Sequence, residues 1–531
     1  MSSAPHGLKM SIRVGRDGLR ERSTRKRLEL GDLVQPTAYR VDIVRCFWWM
    51  VRKSLETLSK ISTEQYLRWP NDLIHFPREV QRNLSSFLFS EDGLYLSSYR
   101  YNVGADGGND ANQVTTNGSR IESFLLRNGT YDWSRDRAGV TFLKAAQEYG
   151  VPYITFFVTA APSHIASNEA ACGWNMTGDK IPAFAEYLQT VLSYWIENGI
   201  NVNYISPVNE PDNLRADCGQ EGMALDPSLR ASLARTLRAE LDSSPASKVG
   251  IIYDETSQIT TQAIPEYPEW LLESLNSMYS IAVHNYDFPT DAEVAQYREE
   301  LVRLTDGHPP RIKFTETCCT GSAANGQNAF KSQNDPTMNN ALVVARHIWQ
   351  FLTIAQVESF DWWTAVSFLP CSPNIDGPQC YNAINETAGY NYALIYIDPN
   401  FNQTRDYNLY LTKRAFMLKH YSYFHRPGSV RYDIPQGQLP YGVNAFASAH
   451  GPETAIEQPH NRTWNVLFFN NQTEAYDIEL KSPSPSARLI KIVETDTSSD
   501  WKVTSVEWSS KGIPVRYTIL GQSMVTLQFA A

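Results

Sequence analysis

The chain has 531 residues, 42% of them hydrophobic and 20% charged, with a formal net charge of −10. That acidic balance excludes nucleic acid as a partner, whose binding depends on neutralising phosphates with Lys and Arg. No apolar run approaches the ~20 residues a membrane span needs; the nearest, Ile43 to Val51, is short and carries Arg45.

A chain of this length holds one large domain and a smaller one. Its 13 Trp and 28 Tyr suit core packing and stacking against sugar faces alike. Residues 1–75 stand apart. Met1 to about Lys60 is basic, through Arg13, Arg16, Arg20, Arg22, Arg25, Lys26 and Arg27. This stretch lacks the apolar core and small-residue cleavage site of a signal peptide. Asn-X-Ser/Thr sequons nevertheless fall at Asn83, Asn117, Asn128, Asn175, Asn385, Asn402, Asn461 and Asn471. The chain is therefore read as secreted, with its N-terminus recorded wrongly or incompletely; a basic tail with its own purpose is the other reading. Seven cysteines leave one unpaired if the rest form disulfides. Cys371 with Cys380 and Cys172 with Cys218 are candidate pairs, although sequence does not settle connectivity.

From Gly93 strands and helices alternate. Leu94–Val103 reads as a strand, Ala138–Tyr149 as a helix, and Tyr153–Ala161 as a strand rich in Phe, Ile and Val. Phe184, Leu188, Val191 and Trp195 repeat at helical spacing within Ile181–Asn198. A strand running to Glu210 follows, then a helix around Pro227–Leu241. Val249–Asp254, Ser280–Asn285, Ile312–Thr315 and Phe360–Val366 are further strands, with helices at Glu269–Met278, Asp291–Leu304 and Asn339–Val357 between them. Such alternation predicts parallel βαβ units. About eight of them in roughly 330 residues fit an α/β fold of the (β/α)8 TIM barrel type over residues 76–425. An open doubly wound sheet competes, but no Gly-rich phosphate fingerprint follows the first strand. After Pro427 the texture changes to short β-rich segments at Val430–Ile434, Trp464–Phe469, Ala475–Leu480, Leu489–Val493, Val503–Trp508 and Met524–Phe529. These predict an accessory all-β sandwich over residues 426–531, with residues 1–75 contributing in part.

Two of the predicted barrel strands end in a glutamate: Val202 to Glu210, closing in Asn209-Glu210-Pro211, and Arg311 to Thr317, containing Glu316. A carboxyl at the mouth of an apolar strand is out of place for packing and well placed for chemistry. Paired carboxyls cleave glycosidic bonds, one protonating the leaving oxygen while the other attacks or activates water. Counted as the fourth and seventh strands, they reach one barrel mouth from opposing arcs. Glu210 is the better acid/base and Glu316 the better nucleophile. An ionised Glu316 disfavours ionisation of its neighbour, so Glu210 keeps the proton it must donate. Asn209 beside it offers a donor for a sugar hydroxyl.

From about Gly93 to Tyr423 the chain resembles family 30 of the glycoside hydrolases, the fungal endo-β-1,6-galactanase branch in particular. The residues that carry the resemblance are Leu96 to Gly104 (LSSYRYNVG), Ser206 to Asp212 (SPVNEPD), Gln220-Glu221-Gly222, Asp254 to Ser257 (DETS) and Phe314-Thr315-Glu316. It implies a (β/α)8 barrel with a side β-sandwich, retaining chemistry, Glu210 as acid/base and Glu316 as nucleophile. It also implies that Asn209 binds the sugar 2-hydroxyl and that Arg100 sits under the nucleophile, a buried structural ion pair being the alternative for Arg100. His284 and Tyr286 contact the reacting sugar or orient Glu316, with a satisfied core histidine as the other reading of His284. Trp174 and either Trp362 or Trp363 are candidate stacking platforms, and Glu255 binds a hydroxyl or forms a loop ion pair. Met1 to about Trp69 does not match the family pattern, which leaves its sandwich strands open.

No metal or other cofactor is expected. His284, Cys318 and Cys319 lack a ligand spacing, and the adjacent cysteines read as one disulfide partner and one left over. Expected is a monomeric enzyme acting on a polysaccharide or oligosaccharide. An exo-acting β-glycosidase (β-xylosidase or glucosylceramidase-like) and an inactive carbohydrate-binding relative are the rival readings.

Overall fold

The computed structural model describes residues 72–530, apart from 108–113, 115–120, 323–327, 332, 369–378, 380, 382, 385–390, 433, 435, 452–461, 484–485 and 507–513; before residue 72 it describes the backbone of four short strands. The candidate pair Cys371–Cys380 and the sequons at Asn117, Asn385 and Asn461 lie outside the described residues.

Eight parallel strands close into a barrel. They are β1 (Arg45–Phe47), β2 (Ser98–Val103), β3 (Tyr153–Val158), β4 (Val202–Ser206), β5 (Gly250–Thr256), β6 (Ser280–His284), β7 (Ile312–Glu316) and β8 (Ser359–Trp362). Each strand pairs with its successor and β8 with β1. Helices follow the strands as α1 (Arg78–Phe89), α2 (Arg137–Glu148), α3 (Ile181–Glu197), α4 (Pro227–Asp242), α5 (Ile264–Ser274), α6 (Asp291–Leu304), α7 (Met338–Gln350) and α8 (Lys413–Phe424). The causes are local. On α3 the apolar residues Phe184, Leu188, Val191 and Trp195 share one buried stripe. At the start of α6, Thr290 and Glu293 form a reciprocal capping box that satisfies two otherwise orphaned N–H groups.

The second layer is a pair of antiparallel sheets. One orders Lys502–Ser505, Arg488–Thr495, Ser523–Ala530, Thr463–Asn470, Val443–His450, Ser429–Tyr432 and Arg40–Val41. The other orders Lys26–Arg27, Ile12–Arg16, Tyr476–Leu480 and Val515–Ile519. Val466, Leu527 and Phe529 of the first sheet share a core with Ile478, Leu480 and Ile519 of the second. Residues before 72 thus supply strands to both sandwich sheets and one strand to the barrel.

Three expectations change. Val366 does not extend β8: it opens a separate strand, Val366–Phe368, which pairs with Ile395–Ile397. The strand expected to run to Glu210 stops at Ser206, so Glu210 stands in the turn beyond β4. The sequence reading also missed Val443–His450 and Val515–Ile519. The first of these is built largely of Ala, Ser and Asn, which carry little β-propensity of their own.

Candidate active site

Glu210 stands in a turn closed by main-chain bonds. Asn209 N donates to Val158 O (2.9 Å), Glu210 N to Glu255 O (3.1 Å) and Asn213 N to Glu210 O (2.9 Å). Pro211 bars its predecessor from the right-handed helical region, and Glu210 adopts φ 48°, a left-handed conformation costing a non-glycine residue roughly 1–2 kcal/mol. The surrounding bonds hold it there.

Two register shifts place the remaining groups. Between β5 and β6 the pairing skips Glu255, and between β6 and β7 it skips Thr315, so that His284 stands opposite Glu316. A bulge of this kind re-aims the extra residue. Glu255 meets Arg100 of β2, whose guanidinium binds both its oxygens (2.6 and 2.7 Å) and also donates to Thr315 O (2.6 Å). Arg100 and Glu255 are wholly buried. For Arg100 and Glu255 the ion-pair alternative holds, since each is the other's buried partner, and the Arg100 charge also favours ionised Glu316. Together they pin the main chain of β7 one residue before Glu316.

One carboxylate oxygen of Glu210, one of Glu316 and a ring nitrogen of His284 lie within 4.8 Å of one another. His284 Nδ1 faces Glu210 Oε1 at 3.3 Å, and the Tyr286 hydroxyl donates to Glu316 Oε1 at 2.8 Å. Asn213 Nδ2 donates to Glu210 Oε2 at 3.2 Å, which also accepts from the Arg215 guanidinium. Asn209 is buried beside Glu210, and its Oδ1 has no hydrogen-bond partner among the described residues. Both glutamates line a cleft of 220 Å³ together with Asp212, Arg215, Ser257, Tyr286, Cys318, Cys319, Phe330 and Tyr392. Its walls come from the segments after β4 through β8, all at the C-terminal mouth.

Burial raises the pKa of Glu316, and the charge of Glu210 adds to the rise; His284, Arg100 and the Tyr286 hydrogen bond oppose it without cancelling it. Burial alone lowers His284, but Glu316 and then Glu210 outweigh it, and its pKa ends above the usual value. Asp212 is also raised, by burial and by Glu210. Glu210, His284 and Glu316 are close enough to suit a cation, but one seated there would have to compete with Arg215 for Glu210 and with the Tyr286 hydroxyl for Glu316.

Other expectations are also corrected. Trp174, Trp362 and Trp363 are all buried in the core and none of them lines the cleft; the Trp362 indole donates to Tyr392 O at 2.6 Å. Cys318 and Cys319 are not partner and leftover, because they are bonded to each other. Cys172 and Cys218 do form a disulfide, which ties the segment after β3 to the one carrying Arg215. Sequence reasoning missed Arg215, whose only signal was its place five residues after Glu210.

A closed parallel barrel with two carboxylates converging at its C-terminal mouth is the arrangement of a sugar-cleaving hydrolase. The profile described as O-glycosyl hydrolase family 30 matches residues 85–372, more than half of the chain. The chain belongs to that family and is an O-glycosyl hydrolase. No curated protein sequence matches it. Among solved structures, a conserved exported protein from Bacteroides fragilis superposes with a TM-score of 0.71 at 19% identity, over 93% of this chain and 98% of that one. The catalytic domain of the family 30 xylanase C from Talaromyces cellulolyticus gives 0.64 at 18% identity, over 93% and 98%. An endo-β-1,6-glucanase gives 0.59 at 14%, over 99% and 100%. At these identities the likeness is one of fold.

Proposed function

We propose that the chain is a retaining β-glycosidase that cuts within β-linked wall polysaccharide, β-1,6-galactan first among them, with Glu316 as nucleophile and Glu210 as acid/base. The observation that carries this reading is the close approach of the two carboxylates. Retaining enzymes hold theirs about 5–5.5 Å apart, whereas an inverting water needs ~6.5–9.5 Å; here oxygens of the two lie within 4.8 Å. In the first step Glu316 attacks the anomeric carbon and Glu210 protonates the departing oxygen, which breaks the glycosidic bond. Esterification removes the charge of Glu316, and Glu210 then deprotonates the water that releases the sugar. The scheme requires Arg215 to leave Glu210 when substrate enters, so that Glu210 takes up its proton. The choice of β-1,6-galactan rests on the sequence motifs that resemble the fungal galactanase branch.

Secretion as a glycosylated monomer completes the reading. The sequons at Asn83, Asn128, Asn175, Asn402 and Asn471 are exposed, and the chain contains disulfides.

The test is incubation with β-1,6-galactan, β-1,6-glucan and glucuronoxylan, reading chain length and anomeric configuration of the first products. Shortened oligosaccharides of unchanged configuration from galactan are expected. Release of single sugars alone would favour the exo-acting alternative, and inverted products would rule out the retaining scheme. Azide added to Glu210→Ala should yield a β-glycosyl azide; an α-azide contradicts the roles assigned.

A further inference from the structure

A sugar cleft needs an apolar surface for the C–H face of a pyranose, and the tryptophans expected to supply it are buried elsewhere. Past Glu316 the wall is made instead by Cys318, Cys319, Phe330 and Tyr392. We propose that the Cys318–Cys319 disulfide, with Phe330 beside it, is a substrate platform on which a pyranose ring lies next to the sugar attacked by Glu316. The proposal rests on the glycosidase reading and adds to it a binding surface.

Three observations support it. The first is position: the bonded pair follows Glu316 by two and three residues, so anything seated on it borders the reacting centre. The second is chemistry. Bonded sulfurs neither ionise nor offer an S–H, and they present a soft, polarisable, apolar surface. Both residues are nearly buried, Cys318 at 7% and Cys319 at 3% exposure, and both line the cleft. The third is rigidity. The bond between sequence neighbours closes a small ring through their shared peptide, and Cys319 adopts φ 62°. Lys331 N donates to Cys319 O (2.6 Å) and Trp363 N to Thr317 O (2.8 Å), fixing the segment from two sides. Thr320–Ser322 then pairs with Asn328–Phe330, setting Phe330 opposite Thr320. A platform already rigid before binding loses little conformational freedom when a sugar settles on it.

The experiment measures binding of β-1,6-galactotetraose by calorimetry to the Glu316→Gln chain, with and without Cys318→Ala and Cys319→Ala together. Loss of the platform should weaken binding about tenfold. Equal binding by the two chains, at any strength, overturns the proposal. A readout independent of the double variant's folding is a crystal of the Glu316→Gln chain soaked with the tetraose. A pyranose face within about 4 Å of both sulfurs supports the platform, and a ring seated elsewhere in the cleft overturns it. Failure of the glycosidase reading shows separately, as absence of turnover of every glycan by the unaltered chain.

Discussion

Glu316 accepts from Tyr286 and shares its surroundings with Glu210 and His284, so exchanging either carboxylate for an amide removes charge with little change of shape. Glu210→Gln and Glu316→Gln should each lower kcat on the order of 10³-fold or more, with thermal midpoints close to the parent's. A variant within tenfold of parental turnover would remove its residue from the proposed chemistry. These two positions were legible because a carboxyl closing an apolar strand has no packing reason to be there. Arg215 was not, since it lies in a segment with no periodicity and meets Glu210 only through the fold of the loop. Trp174 and Trp362 misled for a related reason: an aromatic near a strand end looks the same in sequence whether it turns toward the core or toward the cleft.

The tips of β5 and β7 are held by one buried guanidinium. Arg100 pairs with Glu255 across the barrel interior and grips Thr315 O, and its side chain packs over Phe157 at 4.2 Å. Such a pair adds little net stability, because burying two charges costs nearly as much as their attraction returns, but removing one partner strands the other. Arg100→Met should therefore destabilise the chain by about 3–5 kcal/mol and lower turnover as the Glu316 segment loses its anchor. A variant with parental stability in denaturant titration would contradict this account. At this scale six of the eight helices were read, α5 and the end of α7 least accurately, while α1, α8 and the barrel strand β1 were missed. The register shifts that expose Glu255 and Thr315 to Arg100 were not legible, because a bulge depends on which strand lies alongside.

Barrel and sandwich meet along α7 and α8. The Trp349 indole donates to Ala445 O at 2.9 Å, and His420 of α8 stands between Thr526 (2.8 Å) and Thr495 (3.0 Å) of the sandwich. Burial, aided by His425 and Lys419, lowers the His420 pKa from 6.5 to about 3. The unfolded chain takes up this proton near 6.5 while the folded chain resists it until about 3. The contribution of His420 is therefore complete above pH 6.5 and lost as pH falls toward 3. His420→Gln is free of that loss, so the stability gap between parent and variant should narrow by about 2 kcal/mol between pH 6.5 and pH 5. Denaturant unfolding of both chains at the two pH values checks it, and a constant gap would refute it.

Periodicity, strand-end carboxylates and the change of texture after Pro427 were enough to read a barrel, a sandwich and the glutamate pair from the amino-acid order. Each is a local signal, set by how neighbouring side chains divide between water and core. What the tertiary structure decided is which groups face one another across elements distant in the chain: Arg100 turned to Glu255, Arg215 laid on Glu210, and the tryptophans withdrawn while a bonded pair of cysteines lines the cleft. Those outcomes follow from barrel closure and strand register, which bring together residues whose sequence neighbours say nothing of the meeting.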